Sequence, residues 1–498
     1  MKNKFLTKSE NMTQEYCATV VRLGEIQEIK GANTVAKTLV NGRTIVIGKD
    51  HKEGDVMIYC SNESQLNFDF LSVNNLFQHI DRNCNAEEVN KYLAEHNLTE
   101  DEEKEYLRTH RGYFDDKGRV RMKKLAGEIS MGVLFEFESL KKWCPILSEV
   151  DIEELVGLDF DTVNDVLFVK AYVPEIKTND PSNSSHGSKR DKKLLKFNRM
   201  IPGQFAFHYD TQLFEKVVKR FKPDDIVVID NKLHGTSFVI GNVLTKKPKW
   251  KGIYEKMFLY LPKFLQFTVE DYDVIYSSRT VIKNPTINAN KKGFSKGLDR
   301  CFDKYYELLK DYIPQGVTLY GEIVGYEEGS NSFIQTVGQG YDYRCKPGEN
   351  QFMIYRVKQV DKDGNTTELN IVDVQKFSDE LKQKLIRDGK DDVAARIRPL
   401  EIFYYGKLGD LYPDLSVTEH WHENLLERMK NDKEHFGMEE LEPGCRNSVP
   451  REGIVIRIEN DVIPEAFKLK CLKFLGKEAK EMDKGKTNDA EMMERYEN

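Results

Sequence analysis

A lysine between two apolar runs is the residue of this sequence best suited to covalent chemistry. Lys232 lies within Asp230-Asn-Lys-Leu-His-Gly-Thr-Ser-Phe238, after the run 226–229 and before the run 238–240. Short apolar runs rich in branched residues predict buried strands. Gly235 allows a ligand to approach the backbone closely. A lysine in this position is poorly placed to be a solvated charge, so the pattern favours a nucleophilic amine.

The composition predicts a globular protein of several domains that is not held to nucleic acid by bulk charge. The chain has 498 residues, of which 39% are apolar, and its net charge is -7. This length suggests about two to four domains. Because the net charge is negative, any nucleic-acid binding must come from a local basic face.

The sequence also gives expectations about location and redox state. No run of apolar residues approaches the roughly 18 needed for a membrane helix, and residues 1–8 have no apolar core segment, so we expect a soluble cytoplasmic protein that makes no contact with membranes. The eight cysteines are scattered without a CxxC pair, which is typical of reduced structural thiols.

The N-terminal part of the chain is typical of a β module. Residues 15–62 alternate short apolar segments with turns, and Asn41-Gly42 between two of them predicts a two-residue hairpin. We therefore predict an oligonucleotide-binding (OB) type β-barrel module that binds nucleic acid in residues 1–180. A β domain with a purely structural role remains the alternative.

Two helices are expected to interrupt this module at residues 85–110. Asn85 precedes the first helical stretch as a candidate cap, and Thr99 with Glu102 forms a capping box that opens the second. The helices therefore look like an insertion into the β module.

Strand character resumes at residues 118–125, where cations alternate. Alternation along a strand places Arg119, Arg121 and Lys123 on one face, as a row that can meet phosphates. A solvated strand face is the alternative.

A break in composition separates the two predicted domains. Residues 181–193 are small and polar and then basic, without apolar periodicity, which predicts a linker or mobile loop over residues 181–198. Residues 199–498 then form the second domain, with many strands that carry one charged residue among apolar neighbours.

Six segments of the second domain share a recognisable order. They are Lys232-Leu-His-Gly-Thr236, Ser277-Ser-Arg-Thr280, Leu319-Tyr-Gly-Glu-Ile323, Phe352-Met-Ile-Tyr-Arg356, Glu452-Gly-Ile-Val-Ile-Arg457 and Phe467-Lys-Leu-Lys470. In this order they resemble motifs I, Ia, III, IIIa, IV and V of the covalent nucleotidyltransferases. That superfamily contains ATP-dependent DNA ligases, RNA ligases and mRNA capping enzymes.

Three features of the resemblance favour an RNA ligase. His234 stands where DNA ligases and capping enzymes usually have Asp, whereas phage and kinetoplastid-editing RNA ligases have His. Residues 471–498 are too few for the C-terminal barrel of those other enzymes, and residues 112–121 resemble the N-terminal module of the Deinococcus-type RNA ligases. The resemblance implies an α+β fold, with an N-terminal OB-like module before a nucleotidyltransferase domain of antiparallel sheets flanked by helices.

The resemblance assigns the catalytic roles to three lysines. Lys232 is the nucleophile that takes AMP from ATP. Lys468 and Lys470 are at i and i+2 of a predicted strand, so both side chains point to one face, where they can hold the α-phosphate. An ordinary exposed strand face is the alternative for this pair.

The remaining motif residues are implied to bind the nucleotide and its metal. The nucleotide-binding set is Leu233, Gly235, Arg279, Glu322, Tyr355, Glu452, Lys468 and Lys470. Among these, Glu452 and Glu322 are the expected ligands of Mg²⁺ or Mn²⁺, because hard carboxylate oxygens suit such cations. Tyr355 is expected to stack on adenine. Arg356 departs from the acid usual at its position, which leaves open what that acid anchors.

The proposed nucleophile must lose its proton. A free lysine has a pKa of about 10.4 and is almost fully protonated at neutral pH. We expect desolvation, Lys468, Lys470 and a divalent cation to lower the pKa of Lys232.

The implied reaction is ATP-dependent RNA joining through a lysyl-AMP intermediate. AMP passes to a 5′-phosphate end, and a 3′-hydroxyl then attacks that phosphate. The expected partner is a nicked RNA or RNA:DNA duplex, and no protein partner is evident. A DNA ligase or a GTP-using capping enzyme is one alternative, and an inactive nucleic-acid-binding homologue is another.

Overall fold

The chain divides into two compact units, Met1–Pro174 and Glu175–Asn498. The computed structural model describes residues 4–10, 12–96, 98–173, 199–208, 211–253, 257–258, 261–279, 281–283, 295–416, 418–459 and 464–484. The predicted linker, residues 181–198, lies outside the described residues. Among the described residues, no helix has both the length and the apolar character needed to cross a lipid bilayer.

Short strands dominate the N-terminal unit. They are β1 Leu6–Thr7, β2 Ala18–Arg22, β3 Ile26–Glu28, β4 Val35–Val40, β5 Arg43–Gly48, β6 Val56–Ser61, β7 Ser64–Leu66, β8 Lys123–Leu125, β9 Glu128–Ser130, β10 Gly132–Glu136, β11 Asp159–Phe160, β12 Thr162–Val163, β13 Val166–Leu167 and β14 Val169–Ala171. The sheets have the orders β10-β6-β2-β11, β3-β4-β5, β1-β12-β13, β14-β7 and β8-β9. All their pairings are antiparallel.

The predicted hairpin at Asn41-Gly42 is confirmed. Val40 of β4 pairs with Arg43 of β5, and both turn residues have positive φ, 48° and 68°. Gly42 adopts that conformation without steric cost, and asparagine tolerates it better than most residues do.

Helices occur where the sequence predicted an interruption. The α-helices of this unit are α1 Phe68–Val73, α2 Ala86–Glu95, α3 Glu100–His110 and α4 Phe137–Trp143, with 3₁₀ turns at Ile80–Arg82, Pro145–Glu149 and Ile152–Leu155. Thr99 and Glu102 form the predicted capping box. Asn85 is the N-cap residue of α2, but its side chain makes no capping hydrogen bond.

The strand predicted for residues 118–125 is wrong over most of its length. Only Lys123–Leu125 form a strand, while Arg119 forms an isolated bridge with Gln65. Arg119 is buried and pairs with Glu63 through two hydrogen bonds, from Nε at 2.7 Å and from Nη2 at 2.8 Å. Since its guanidinium is buried in an ion pair, Arg119 does not belong to an exposed row of cations.

The neighbouring cations also have local partners. Arg121 pairs with Asp115, and Lys123 Nζ lies 3.7 Å from the centroid of the Tyr113 ring. The predicted row is therefore replaced by three separate contacts within the unit.

Two strands of the N-terminal unit are buried on both faces. Val20 of β2 and Ile58 of β6 belong to one core, which also contains Phe70. Val21 of β2 and Met57 of β6 face a second, smaller core. This explains why β2 and β6 are almost continuously apolar.

Thirteen strands form three sheets in the described part of the second unit. They are β15 Gln212–Leu213, β16 Ile226–Lys232, β17 Thr236–Pro248, β18 Thr268–Ser277, β19 Val317–Gly325, β20 Thr336–Val337, β21 Gln339–Gly340, β22 Asn350–Val360, β23 Thr366–Glu368, β24 Ile397–Pro399, β25 Ile402–Lys407, β26 Gly453–Ile458 and β27 Glu465–Lys470. Sheet I has the order β15-β27-β26-β16-β25. Sheet II has the order β18-β17-β19-β22-β23, with β24 also on β22, and β20 pairs with β21.

Helices accompany these sheets. They are α5 Phe214–Val217, α6 Ser295–Leu309, α7 Ile371–Arg387, α8 Asp391–Arg396, α9 Leu408–Leu411, α10 Trp421–Asn431, α11 Lys433–Phe436 and α12 Leu472–Asp483, with 3₁₀ turns at Val218–Arg220 and Lys263–Leu265. Most strand pairs are antiparallel, and β15–β27 and β22–β24 are parallel. The fold is thus the predicted α+β type.

One core joins the two sheets to helices α6, α7 and α8. It contains Val228 of sheet I, Phe238 and Leu319 of sheet II, Phe302 of α6 and Leu385 of α7, all essentially inaccessible to solvent. The chain passes from sheet I to sheet II through Leu233-His-Gly235, immediately after Lys232. Lys232 is therefore fixed at the crossing between two sheets that share a core.

Candidate active site

Lys232 ends β16 and forms an ion pair with Glu452. The two atoms, Lys232 Nζ and Glu452 Oε1, are 2.7 Å apart, and 22% of the lysine side chain is exposed. Glu452 immediately precedes β26, whose first residue, Gly453, lies opposite Lys232. Gly453 has φ +152°, and a Cβ there would lie 2.1 Å from the carbonyl oxygen of Leu469. Only glycine allows this close strand approach.

The three predicted catalytic lysines share one face of sheet I. Gly453 lies opposite both Lys232 and Lys470, while Val455 lies opposite both Asp230 and Lys468. Residues directly opposite in antiparallel strands point to the same face, as do residues two apart along a strand. The sheet register therefore brings Lys232, Lys468 and Lys470 together.

Glu452 is surrounded by cationic and polar groups. Lys470 Nζ lies 3.9 Å from Glu452 Oε1, and His234 Nδ1 lies 3.5 Å from Oε2. Burial alone would raise the pKa of the Glu452 carboxyl, but Lys232 and His234 hold that pKa well below its usual value. Glu452 is therefore a carboxylate at neutral pH.

The structure corrects the expectation that the pKa of Lys232 is lowered. Burial and the nearby Lys470 oppose a charge on the Lys232 amine, but Glu452 outweighs them and holds the pKa above its usual value. In this arrangement Lys232 is an ammonium ion. It becomes a nucleophile only when Glu452 shares its charge with another partner.

His234 is packed in a fixed position beside the carboxylate. Its side chain is 8% exposed and lies against the edges of Tyr341 and Phe474, with ring centroids 4.9 and 5.1 Å away. The backbone N–H of His234 donates to the Tyr343 hydroxyl at 2.8 Å. The sequence identified His234 only as a marker of enzyme type. Its contact with Glu452 depends on a residue far away in the chain.

Gly235 brings the nucleophile turn against β19. A Cβ at this position would lie 2.5 Å from the carbonyl oxygen of Ile323 and 2.7 Å from Cγ of Glu322. Gln335 Nε2 donates to the Gly235 carbonyl at 2.9 Å. Glu322 lies close enough to help raise the pKa of Lys232. The predicted set of Gly235, Glu322 and Lys232 is therefore assembled, with Leu233 buried beside them.

Tyr355 lies on a β-bulge of sheet II. Tyr320 is opposite Arg356 and Gly321 is opposite Ile354, so Tyr355 is the extra residue of β22. Its half-buried side chain packs against the cluster that includes Tyr320. The ring meets His208 edge to face, with centroids 5.9 Å apart. These contacts fix an aromatic side chain on the strand predicted to hold it.

Arg356, which replaces the usual acid, has a buried acidic partner. Arg356 Nε lies 2.8 Å from Glu368 Oε1, and Arg457 Nη1 lies 3.8 Å from the same oxygen. Arg457 also pairs with Glu459. The positive charge at position 356 is therefore matched within the fold.

Arg457 connects the two sheets. From β26 of sheet I it donates to the carbonyl oxygens of Tyr355, at 3.4 Å, and Leu369, at 3.0 Å. Tyr355 belongs to sheet II. The guanidinium fork thus holds the strand of the predicted adenine-stacking residue against the strand that follows Glu452.

Asp230 was missed by the sequence analysis. It is 5% exposed and shares the face of Lys232 and Lys468, and its Oδ1 makes no hydrogen bond within the described residues. Burial raises the pKa of the Asp230 carboxyl to about 8, although Arg457 and Lys232 oppose this shift. The available signal was an acid two positions before the lysine in an otherwise apolar strand.

The donor set suits a divalent cation that arrives with phosphates. Among the described residues, no group of three or more His, Cys, Asp and Glu side chains is arranged to hold a metal ion. Mg²⁺ usually needs only one or two carboxylates, because waters and substrate phosphates supply the other ligands. Glu452 and Glu322 match that requirement.

Arg279 is placed at the end of the β17–β18 pair. It follows β18 by two residues and is half-buried, after the buried Ser277 and Ser278. Since Ser277 pairs with Val239, Arg279 lies near the end of sheet II from which β17 starts. That is the end next to the nucleophile turn.

The RNA ligase family model matches residues 225–475. This match covers just over half of the chain and includes Lys232, Glu322, Glu452 and Lys470. The chain belongs to the RNA ligase family and is therefore an enzyme that joins RNA ends.

Solved structures extend the likeness of fold to nearly the whole chain. The Naegleria gruberi RNA ligase with PPi is 16% identical, with a TM-score of 0.51 over 93% of this chain and 99% of that one. A mutant of the same ligase with ATP and Mn gives 16% identity and a TM-score of 0.51 over 94% and 99%. No curated protein sequence matches this chain. At such identity the likeness shows a shared fold.

Proposed function

We propose that this enzyme is an ATP-dependent RNA ligase that works through AMP bound covalently to Lys232. The observation that carries the proposal is the ion pair of Lys232 and Glu452, 2.7 Å apart, on a sheet face shared with Lys468 and Lys470. The related ligase solved with ATP and Mn supports ATP and a divalent cation as the cofactors.

The first step transfers AMP to the lysine. The Lys232 amine attacks the α-phosphorus of ATP, so a nitrogen–phosphorus bond forms while the bond to the bridging oxygen breaks and pyrophosphate leaves. Before this, the amine must lose its proton, which requires Glu452 to pair with other groups. His234 and Lys470, both already facing Glu452, are the partners within the chain.

Positive charge then stabilises the reacting phosphate. Lys468 and Lys470 share the face of Lys232 and can contact the oxygens on which charge develops. A divalent cation bound to Glu452 and Glu322 supplies further positive charge at the phosphates. Tyr355 stacks on adenine, and Arg279 contacts the sugar or a phosphate.

Two further transfers join the RNA. A 5′-phosphate oxygen attacks the AMP phosphorus, and the lysine leaves. A 3′-hydroxyl oxygen then attacks the activated 5′-phosphate and releases AMP. All steps are in-line displacements at phosphorus that need positioning and charge neutralisation.

The substrate we propose is a nick held by a complementary strand in RNA or RNA:DNA duplex. A duplex of this form can be recognised through phosphates and 2′-hydroxyls. We assign residues 1–180 as an OB-like nucleic-acid-binding module, residues 181–198 as a linker and residues 199–498 as the adenylyltransferase domain. A β-rich unit before the catalytic unit supports the Deinococcus-type arrangement.

Intact-protein mass tests the proposal. The protein is first treated with pyrophosphate to remove bound AMP, and then incubated with Mg²⁺ and either ATP or GTP. We expect ATP, but not GTP, to add a single AMP to the wild type and to the control variant Lys480→Ala. Lys480 is an exposed residue of α12. Lys232→Ala should gain nothing.

The other outcomes discriminate among enzyme types. GTP labelling would indicate capping chemistry, and no label with either nucleotide would indicate an inactive binding protein. After adenylylation, nicked duplexes with ribose or deoxyribose at the 3′-hydroxyl end separate RNA ligase from DNA ligase. Equal joining of both would contradict the proposed RNA preference.

A further inference from the structure

The β17–β18 ribbon extends well beyond the rest of sheet II. β19 pairs with β17 from Thr236 to Asn242, whereas β17 and β18 stay paired as far as Pro248 and Thr268. Met200 bridges Thr245 on the other edge of this extension, and the N–H of Lys246 donates to the Arg199 carbonyl at 2.9 Å. We call the ribbon beyond Asn242 the arm, and the described residues from Lys249 to Phe267 the tip.

The tip has its own small folded structure. The N–H of Lys249 donates to the Phe267 carbonyl at 2.9 Å, which closes the tip at its base. Phe258 is 2% exposed, and Gln266 Nε2 donates to its carbonyl oxygen at 3.1 Å and to that of Leu261 at 3.0 Å. The described side chains on the surface of the tip therefore belong to a segment with its own internal hydrogen bonds.

That surface is unusually apolar. Ile253 and Phe264 are 78% and 76% exposed, the two highest values among the large exposed hydrophobic residues of the described chain. Trp250 and Phe267 are about half exposed, and their rings meet edge to face with centroids 5.5 Å apart. Exposed apolar patches of this kind mark interaction sites.

The same segment is strongly basic. Residues 249–267 contain four lysines and one acidic residue, in a chain whose net charge is -7. Lys249 Nζ lies 5.4 Å from the centroid of the Trp250 ring, which places an ammonium group beside an aromatic ring. Lysines interleaved with aromatic rings suit a strand with phosphates and unpaired bases, because ammonium groups meet the phosphates and rings stack on the bases.

We propose that the tip binds an unpaired segment of the RNA substrate, away from the ends that are joined. This inference rests on the proposed function. β17 starts beside the nucleophile turn and has 13 residues, so at about 3.3 Å per residue the base of the tip lies roughly 40 Å from that turn. The arm thus separates the RNA contact from the chemistry.

The test compares two nicked RNA duplexes, one fully paired and one with an unpaired extension on the strand to be joined. Binding is measured by fluorescence anisotropy without ATP, and the ratio of the two dissociation constants is the readout. For the wild type we expect the extended duplex to bind more tightly, by about tenfold or more once the extension is long enough to reach the tip. Trp250→Ala with Phe264→Ala should bring the ratio close to one.

A charge variant tests the phosphate contacts. Lys249→Gln with Lys251→Gln and Lys263→Gln should reduce the salt dependence of binding to the extended duplex by a slope of about 2, at about 0.7 for each single-strand phosphate contact. The control, with the same change in charge, replaces Lys376, Lys384 and Lys480 by Gln. Tyr405→Ala, an exposed aromatic of β25, is the control for the ring substitutions. Thermal melting of each variant reports on folding.

Two results would overturn this proposal. One is an unchanged ratio in both tip variants. The other is a tip that binds vesicles of phosphatidylserine and phosphatidylcholine while its substitutions leave RNA binding intact. The proposed function fails separately, if the wild type gains no AMP from ATP.

Discussion

Two buried pairs of a basic residue and a glutamate behave differently in this molecule. In the N-terminal unit, Arg119 grips Glu63 with two hydrogen bonds and lies 5.0 Å from the Tyr172 ring, with both partners almost inaccessible. In the second unit, Lys232 contacts Glu452 through one oxygen, and Lys470 and His234 compete for the same carboxylate. In the first pair, one guanidinium binds both oxygens of the carboxylate. In the second pair, the carboxylate has several neighbours and can exchange one for another.

This difference teaches how to separate structural charges from reactive ones. When an arginine guanidinium donates hydrogen bonds to both oxygens of a carboxylate, binding a ligand would not improve the interactions of that carboxylate. A carboxylate with several cationic neighbours can release one of them at little cost. The number of cations in a strand does not reveal whether a charged pair is structural or reactive. The geometry around the carboxylate does.

The largest expected effect comes from removing the exchangeable carboxylate. Glu452→Gln should reduce the rate of lysine adenylylation by about 100-fold to 1000-fold, because the carboxylate proposed to hold the divalent cation at the reacting phosphates is lost. Single-turnover labelling with radioactive ATP measures this rate. Glu440→Gln, an exposed neighbour in the chain, is the control and should retain the wild-type rate. A Glu452→Gln enzyme as fast as wild type would place the important carboxylate elsewhere.

Breaking the pair of Arg119 and Glu63 should affect stability instead. Arg119→Met leaves Glu63 buried without its fork, which should lower the free energy of unfolding of the N-terminal unit by about 3 kcal/mol. Urea unfolding, monitored by hydrogen exchange of residues 4–173, measures the change in the free energy of unfolding. Arg108→Met removes an exposed fork to Glu105 and should leave the free energy of unfolding nearly unchanged. An equal loss of unfolding free energy in the two variants would contradict the assignment of Arg119 and Glu63 as a structural pair.

Asp230 extends the comparison to a buried carboxyl group that no arginine guanidinium of the described residues binds through both oxygens. Its pKa is raised to about 8 in the folded chain, so between about pH 4 and pH 8 the folded state binds more protons than the unfolded state. Stability of the wild type relative to Asp230→Asn should therefore fall as the pH rises, by up to about 1.4 kcal/mol per pH unit, and level off above pH 8.

Urea unfolding at pH 5, 6, 7 and 8 checks this slope. Asp379→Asn, on the exposed face of α7, should show no such dependence. A wild type that gained stability over Asp230→Asn as the pH rose would show that Asp230 is ionised in the fold.

The smallest effect should come from replacing Arg457, whose guanidinium connects sheet I to sheet II. Arg457→Lys keeps the charge near Glu368 but loses the hydrogen bonds to the carbonyl oxygens of Tyr355 and Leu369. We expect a cost of about 1 kcal/mol in nucleotide binding, seen as a several-fold higher KM for ATP with kcat unchanged. The control is Arg398→Lys on the exposed side of β24. A lower kcat with constant KM would indicate a role in the chemical step.

Local features of the fold were predictable because their causes are local. The Asn41-Gly42 turn and the Thr99 capping box need only a few neighbouring residues. The motif order also placed Lys232, Glu452 and Lys470 near one another. The pairing of Arg119 with Glu63 and that of Arg356 with Glu368 depend on tertiary contacts, so the sequence pattern gave no sign of either. The raised pKa of Lys232 depends on its 2.7 Å contact with Glu452, which no spacing rule predicts.

The strand order of sheet I determines when the site can form during synthesis. β16 lies between β25 and β26, and β26 in turn pairs with β27, so the strand of Lys232 needs partners that are made much later in translation. Such distant pairings fold slowly, because a long loop must close before any contact is gained. A nascent chain that stops before β26 leaves Lys232 without Glu452 and has no site to load with nucleotide. Under the proposed mechanism, adenylylation of Lys232 is therefore a reporter of a completed sheet I.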